Sequence, residues 1–164
     1  EGNVFAAQKT TPVHPGKGGS PHVRTEWTID GAHISIEYGR PALKGRPIES
    51  VVPTGQVWRT GADEATTLKT DKMLMFGSLH LSAGTYTLYT LPTAKGWQLI
   101  INKQTGQWGT EYNENQDAGR APLTAGKTKA PVEELTISID DTPAGATLRI
   151  EWGTLSLTTA LSVM

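Results

Sequence analysis

The sequence contains no cysteine among its 164 residues. That excludes thiolate nucleophiles, iron–sulfur clusters, cysteine zinc sites and disulfide staples, while leaving the redox compartment open. A single domain of this length buries roughly two thirds of its unfolded surface, so it needs no staple. Net charge is also scarce: 15 Lys and Arg stand against 16 Asp and Glu, giving -1. Without a basic excess, extensive binding to a nucleic-acid backbone is not expected. No run approaches the ~18 apolar residues of a membrane helix, so no membrane span is expected. Nor is there a 3.6-period apolar pattern long enough to specify a helix.

The short motifs of catalysis are missing as well. There is no GxSxG elbow, no HExxH and no acidic calcium loop. His14, His22, His33 and His80 show no close spacing that would put two imidazoles on one face, so neither a metal nor another cofactor is expected. Gly16 to Gly19 and Gly106 to Gly109 are glycine-rich. Neither follows a strand and opens a helix, as a phosphate cradle requires, and both read as turns.

What the chain does have is alternation. Val23, Thr25, Trp27 and Ile29 alternate with polar residues, Asp30-Gly31 supplies a two-residue turn, and Ile34, Ile36 and Tyr38 alternate again. This is a hairpin signature. Further strands are predicted at residues 65–70, 73–76, 85–91, 97–102, 135–139, 147–152 and 155–163, divided by turn residues such as Gly77-Ser78, Ala83-Gly84 and Gly153-Thr154. Apolar groups on both faces of residues 97–102 suit a central strand. Residues 113–129 are weakly patterned and predict an excursion loop. About nine short strands, with 18 Gly and 10 Pro, imply an all-β fold with little or no helix. The expected form is an antiparallel β-sandwich, jelly-roll-like or a partly open barrel.

Residues 1–22 read as a flexible leader ahead of one domain at 23–164, because Lys9 to Pro21 offers almost nothing to bury. Asn3 to Gln8, NVFAAQ, looks like the end of a secretory signal, which predicts a periplasmic or secreted protein. An arbitrary chain boundary is the plainer alternative.

One stretch gathers charge beyond what folding needs. Tyr38 to Thr67 carries Arg40, Lys44, Arg46, Arg59, Asp63 and Glu64 beside Trp58. A guanidinium offers a planar fork that matches a carboxylate or sulfate, and an indole offers a face to a sugar ring. Arg40, Lys44, Arg46, Trp58, Arg59 and Glu64, joined by Trp108 and Arg120 from later loops, are the candidate ligand-binding set. Trp27, Trp97 and Trp152 read as core. The bland alternative is an internal brace in which the arginines pair with Asp63, Glu64, Asp117 and Glu133.

These residues also carry a resemblance. Tyr38-Gly39-Arg40-Pro41, Lys44-Gly45-Arg46, Trp58 to Ala62 followed by Glu64-Ala65-Thr66, Ala83 to Tyr86, Trp97 with Asn102, Trp108-Gly109 and Glu151-Trp152 resemble, in this order, a bacterial family, domain of unknown function 2911. The similarity spans about residues 24 to 160. It implies an exported protein, with no activity, ligand or catalytic residue to carry over. One departure is Asp63, where the family pattern has asparagine. The leading expectation is a module that binds a glycan or anionic small molecule without chemistry of its own. The alternatives are a polysaccharide hydrolase pairing Glu64 with Asp117 or Glu133, and a purely structural or interaction module.

Overall fold

The computed structural model describes residues 7–16, 19–53 and 55–164. Among them, ten strands form one antiparallel sheet. In chain order they are β1 (Ala7–His14), β2 (His22–Ile29), β3 (Ala32–Gly39), β4 (Thr67–Thr70) and β5 (Leu74–Phe76). β6 (Leu79–Leu81), β7 (Gly84–Thr93), β8 (Gly96–Asn102), β9 (Asp117–Thr142) and β10 (Gly145–Val163) follow. The order across the sheet is β1-β2-β3-β4-β7-β8-β9-β10-β5-β6. Among the described residues, helix is confined to one turn, α1 (Ile48–Val51), and a 3-10 turn at Glu114–Gln116.

The Asp30-Gly31 hairpin forms as its residues dictate. Asp30 and Gly31 have φ of 48° and 83°, the paired positive values of a type I′ turn, and Ile29 faces Ala32. Alternation along β2 and β3 sends Trp27, Ile29, Ile34, Ile36 and Tyr38 into a single core shared with Leu135, Ile137, Leu148, Ile150 and Trp152 of β9 and β10. The sheet therefore rolls back on itself. The chain just past β3 closes the roll, with Leu43 N–H donating to Glu133 O and Leu135 N–H to Pro41 O, each 3.0 Å. Tyr38 adds its hydroxyl, which accepts from Ile137 N–H at 3.0 Å inside the core.

Three expectations need correction. Residues 113–129 are not an excursion loop, because Asp117 onward is β9, paired first with β8 and then with β10. Its exposed Thr, Gly and Lys residues satisfy their backbone in the ladder without the apolar alternation that would reveal a strand. Residues 147–152 and 155–163 are one strand. Gly153, with φ of 60°, makes a bulge where the register against β9 shifts, instead of ending the strand. Part of the expected leader is β1, added to the edge of β2 by main-chain bonds, with Thr10 and Thr25 hydroxyls 3.1 Å apart across the pair. The strand needs no core of its own because β2 supplies the template. Residues 1–6, including most of the signal-like NVFAAQ segment, lie outside the described residues.

Candidate functional site

The chain between Trp58 and Thr66 is a tightly constrained loop. Thr60 and Asp63 take left-handed φ of 55° and 62°, a conformation that is particularly costly for a β-branched threonine. Thr60 is held there by its hydroxyl, which donates to Trp58 O at 3.0 Å, and by its carbonyl, which accepts from Thr66 Oγ1 at 2.7 Å. Strain over-determined in this way clusters at functional sites. The position of Asp63 suits either asparagine or aspartate, the non-glycine residues most tolerant of left-handed backbone.

Two glycines let other segments approach this loop. A Cβ on Gly39 would lie 2.4 Å from Ala62 O, so only glycine at the end of β3 allows residues 61–63 to pack against it. A Cβ on Gly109 would lie 3.0 Å from both Asp63 O and Arg59 Cδ. Gly109 N–H donates to Asp63 O at 2.8 Å and Ala65 N–H to Gln107 O at 3.0 Å, which sets Trp108 opposite Glu64. Gln107 is anchored beneath by its amide, which donates to Tyr89 Oη at 2.9 Å.

Two hollows flank these paired segments. The first, about 450 Å³, is lined by Gln56, Val57, Trp58, Arg59, Tyr89 and Tyr112, with Pro53, Gly109 and Thr110. The second, about 470 Å³, is lined by His14, Pro15, Gly16, Glu64 and Trp108. In it, His14 Nε2 lies 2.9 Å from Glu64 Oε2, and His14 stacks on His22 with ring centroids 4.6 Å apart. Burial, the largest influence on His22, pushes its pKa down, against the pull of the Glu64 and Glu37 charges. Burial works to raise the Glu64 carboxyl, but its own backbone N–H, the His14 hydrogen bond and the nearby His22 and His14 charges hold it below the ordinary value.

A family model described as protein of unknown function (DUF2911) matches residues 20–161. The chain belongs to this family. No curated protein and no solved structure matches. In this DUF2911 chain, β1 and His14 precede the matched residues, whereas His22, Arg59, Glu64 and Trp108 fall within them.

The eight expected ligand-binding residues do not converge on one surface. Arg40 donates from Nε to Leu135 O at 3.0 Å and from Nη2 to Thr136 Oγ1 at 2.9 Å. Arg46 turns onto its own loop, donating to Leu43 O at 2.8 Å and Ala42 O at 2.7 Å. Lys44 is exposed, and it is its main-chain N–H that meets Glu133, at 2.8 Å. Arg120 sits among Gln98, Tyr112, Glu114 and Asp117. Trp58 offers no free stacking face, being buried and stacked on Trp152 with centroids 5.9 Å apart and planes within 5°. That leaves Arg59 in the first hollow, and Glu64 with the 37 % exposed Trp108 in the second.

The carboxylates considered as a hydrolytic pair are held separately. Glu64 meets His14, Glu133 accepts from the Lys44 N–H, and Asp117 accepts from Asn102 at 2.9 Å and Tyr112 at 2.7 Å. His14, Tyr89 and Tyr112 line the two hollows, with His22 stacked on His14 and Gln107 bonded to Tyr89, and short-motif reasoning passes over all five. His14 and Glu64 alone are 50 positions apart.

Three tyrosines make the fold sensitive to alkali. Burial raises the phenols of Tyr38, Tyr89 and Tyr112, and for Tyr112 the bond to Asp117 adds to burial and carries it to about 12. The unfolded chain loses these protons near 10 while the fold retains them, so their contribution is complete below about pH 10 and fades as pH climbs toward 12. Melting temperature is expected to drop across that interval, and less steeply in Tyr112→Phe. An equal slope in the variant would show that Tyr112 is not a source of the effect.

Proposed function

We propose that this DUF2911 chain is a binding module that acts outside the cytoplasm and takes a small anionic ligand, of the acidic-sugar class, in the hollow beside Arg59. The observation that supports the reading is the contrast among arginines. Arg24, Arg40, Arg46, Arg120 and Arg149 have their forks engaged by main-chain oxygens, side-chain oxygens or acids. Among the described residues, no ion pair or hydrogen bond occupies the Arg59 guanidinium, and its side chain borders a hollow of about 450 Å³.

The surroundings suit such a ligand. A carboxylate or sulfate accepts two parallel N–H bonds from a guanidinium fork, and a sugar ring wants apolar edge with a few hydrogen-bonding groups. Val57 and Tyr112 offer the former, Gln56 and Thr110 the latter. The backbone here is rigid, since Trp58 pairs with Thr90 in both directions at 2.7 and 3.0 Å, and a preorganised site loses less entropy on binding. Export is part of the same proposal and rests on the family resemblance.

Calorimetry with galacturonate, glucuronate and sulfated monosaccharides tests the reading. Binding should weaken about tenfold to a hundredfold in Arg59→Ala, the size of a charge-assisted bond lost, with little change in melting temperature. Absence of binding by the natural chain, or equal binding by the variant, would contradict it.

A further inference from the structure

The second hollow holds a different chemistry. One ring nitrogen each from His14 and His22 and one oxygen of Glu64 lie within 4.8 Å of one another. They arrive from three places: the last residue of β1, the first of β2, and the strained loop before β4. The two imidazoles are stacked and nearly parallel, at 12° with centroids 4.6 Å apart, so their lone pairs lie in parallel planes and one ring must turn for both to meet a single ion. His22 is 1 % exposed and its Nδ1 is buried without a hydrogen-bond partner. A buried polar atom left so is costly unless something else satisfies it.

We propose that His14, His22 and Glu64 form a three-ligand site for a borderline divalent cation of the Zn²⁺ class, open on its remaining side to the hollow lined by Trp108. Two imidazoles and one carboxylate are a donor set that such ions accept, at about 2.0–2.2 Å from each ligand atom. Donors on a tetrahedral ion stand about 3.3 Å apart by that geometry. Holding an ion requires the His14–Glu64 pair, now at 2.9 Å, to open slightly and the more exposed His14 ring to turn out of its stack on His22.

Charge and outer contacts fit the ion. Glu37 Oε2 lies 3.7 Å from His22 Nε2, placed to hold that N–H so that the partnerless Nδ1 keeps its lone pair, the outer carboxylate arrangement common behind metal-bound histidines. Glu64, Glu37 and Asp63 all bring negative charge to His22. Gly16 N–H donates to His14 Nδ1 at 3.0 Å, which puts the neutral ring's proton on Nε2, facing Glu64. The cation takes that proton's place. The ring keeps its one proton, which passes from Nε2 to Nδ1 through solvent as the Gly16 contact opens, so that His14 meets the ion as a neutral imidazole. With three protein ligands, a fourth position faces the hollow, where a water or an oxygen of an anionic ligand would sit.

The proposal concerns a hollow distinct from that of Arg59, and its test is independent. The full chain, dialysed against EDTA and then against metal-free buffer, is titrated with ZnCl₂ alone by calorimetry and followed by melting temperature. One Zn²⁺ per chain is expected, with a raised melting temperature. His14→Ala and Glu64→Gln, both at accessible positions, should each weaken binding at least about tenfold and abolish the thermal shift. His80→Ala, at an exposed position of β6, should bind as the natural chain does. Because His22 is buried, its variant is not needed for the conclusion. Mg²⁺ and Ca²⁺, which prefer all-oxygen sites, should not compete. No Zn²⁺ binding up to about 1 mM, variants that bind as tightly as the natural chain, or displacement by Ca²⁺ would each overturn the proposal.

Discussion

Truncating Trp152 to alanine is expected to destabilise the fold by about 3–5 kcal/mol, the range for removing a large buried aromatic. Three losses combine. The indole is buried in the core, so its apolar surface is replaced by a cavity. Its stacking on Trp58 disappears, and such pairs contribute about 0.5–1.5 kcal/mol beyond burial. Its Nε1–H no longer donates to Glu133 O at 3.0 Å, at the residue where the chain after β3 closes the roll. Urea unfolding measures the total. Trp152→Phe keeps an aromatic ring but loses the N–H and part of the volume, and should fall well short of the alanine loss. An alanine variant within about 1 kcal/mol of the natural chain would mean that this corner of the core is not packed as described.

Arg40→Ala is the second large effect, expected at about 2–4 kcal/mol. The half-buried guanidinium bonds Leu135 O and Thr136 Oγ1 across the seam between the end of β3 and β9. Bonds from a charged donor contribute about 1.5–3 kcal/mol each, reduced here by partial exposure. The matching control is Arg59→Ala, expected within about 0.5 kcal/mol because no bond of that kind is removed. Comparing the two unfolding curves separates brace from site. Equal losses would remove the distinction on which the binding proposal rests.

The fold was legible where alternation meets turn chemistry. Asp30-Gly31 announced the β2–β3 hairpin, and the apolar faces of residues 97–102 announced a strand with neighbours on both sides, as β8 has in β7 and β9. It was illegible where a strand relies on its neighbours. β1 and the first half of β9 carry Lys, Thr, Gly and Pro at positions that face water, so their pairing is a property of the sheet and not of their own residues.

The site followed the same division. Clustered charge singled out the segment that carries Arg59 and Glu64, but a guanidinium's partners are set by distant chain, and Leu135 and Thr136 give no hint of Arg40 in sequence. The histidines were more accessible than they looked. His14 and His22 flank a glycine-rich connection and lie directly opposite in the β1–β2 ladder, so assigning β1 as a strand would have brought them together. Glu64 was not accessible that way, since its approach depends on Gly39 accepting Ala62 at close range.

The most direct measurement is a heteronuclear NMR titration with galacturonate, following the Arg59 Nε–H resonance and the backbone amides around it. The account predicts saturable shifts at Arg59, Gln56, Gly109 and Thr110, with the Arg40 and Arg46 side-chain signals unmoved. Shifts centred on another face of the sheet, or no shifts at saturating ligand, would contradict it.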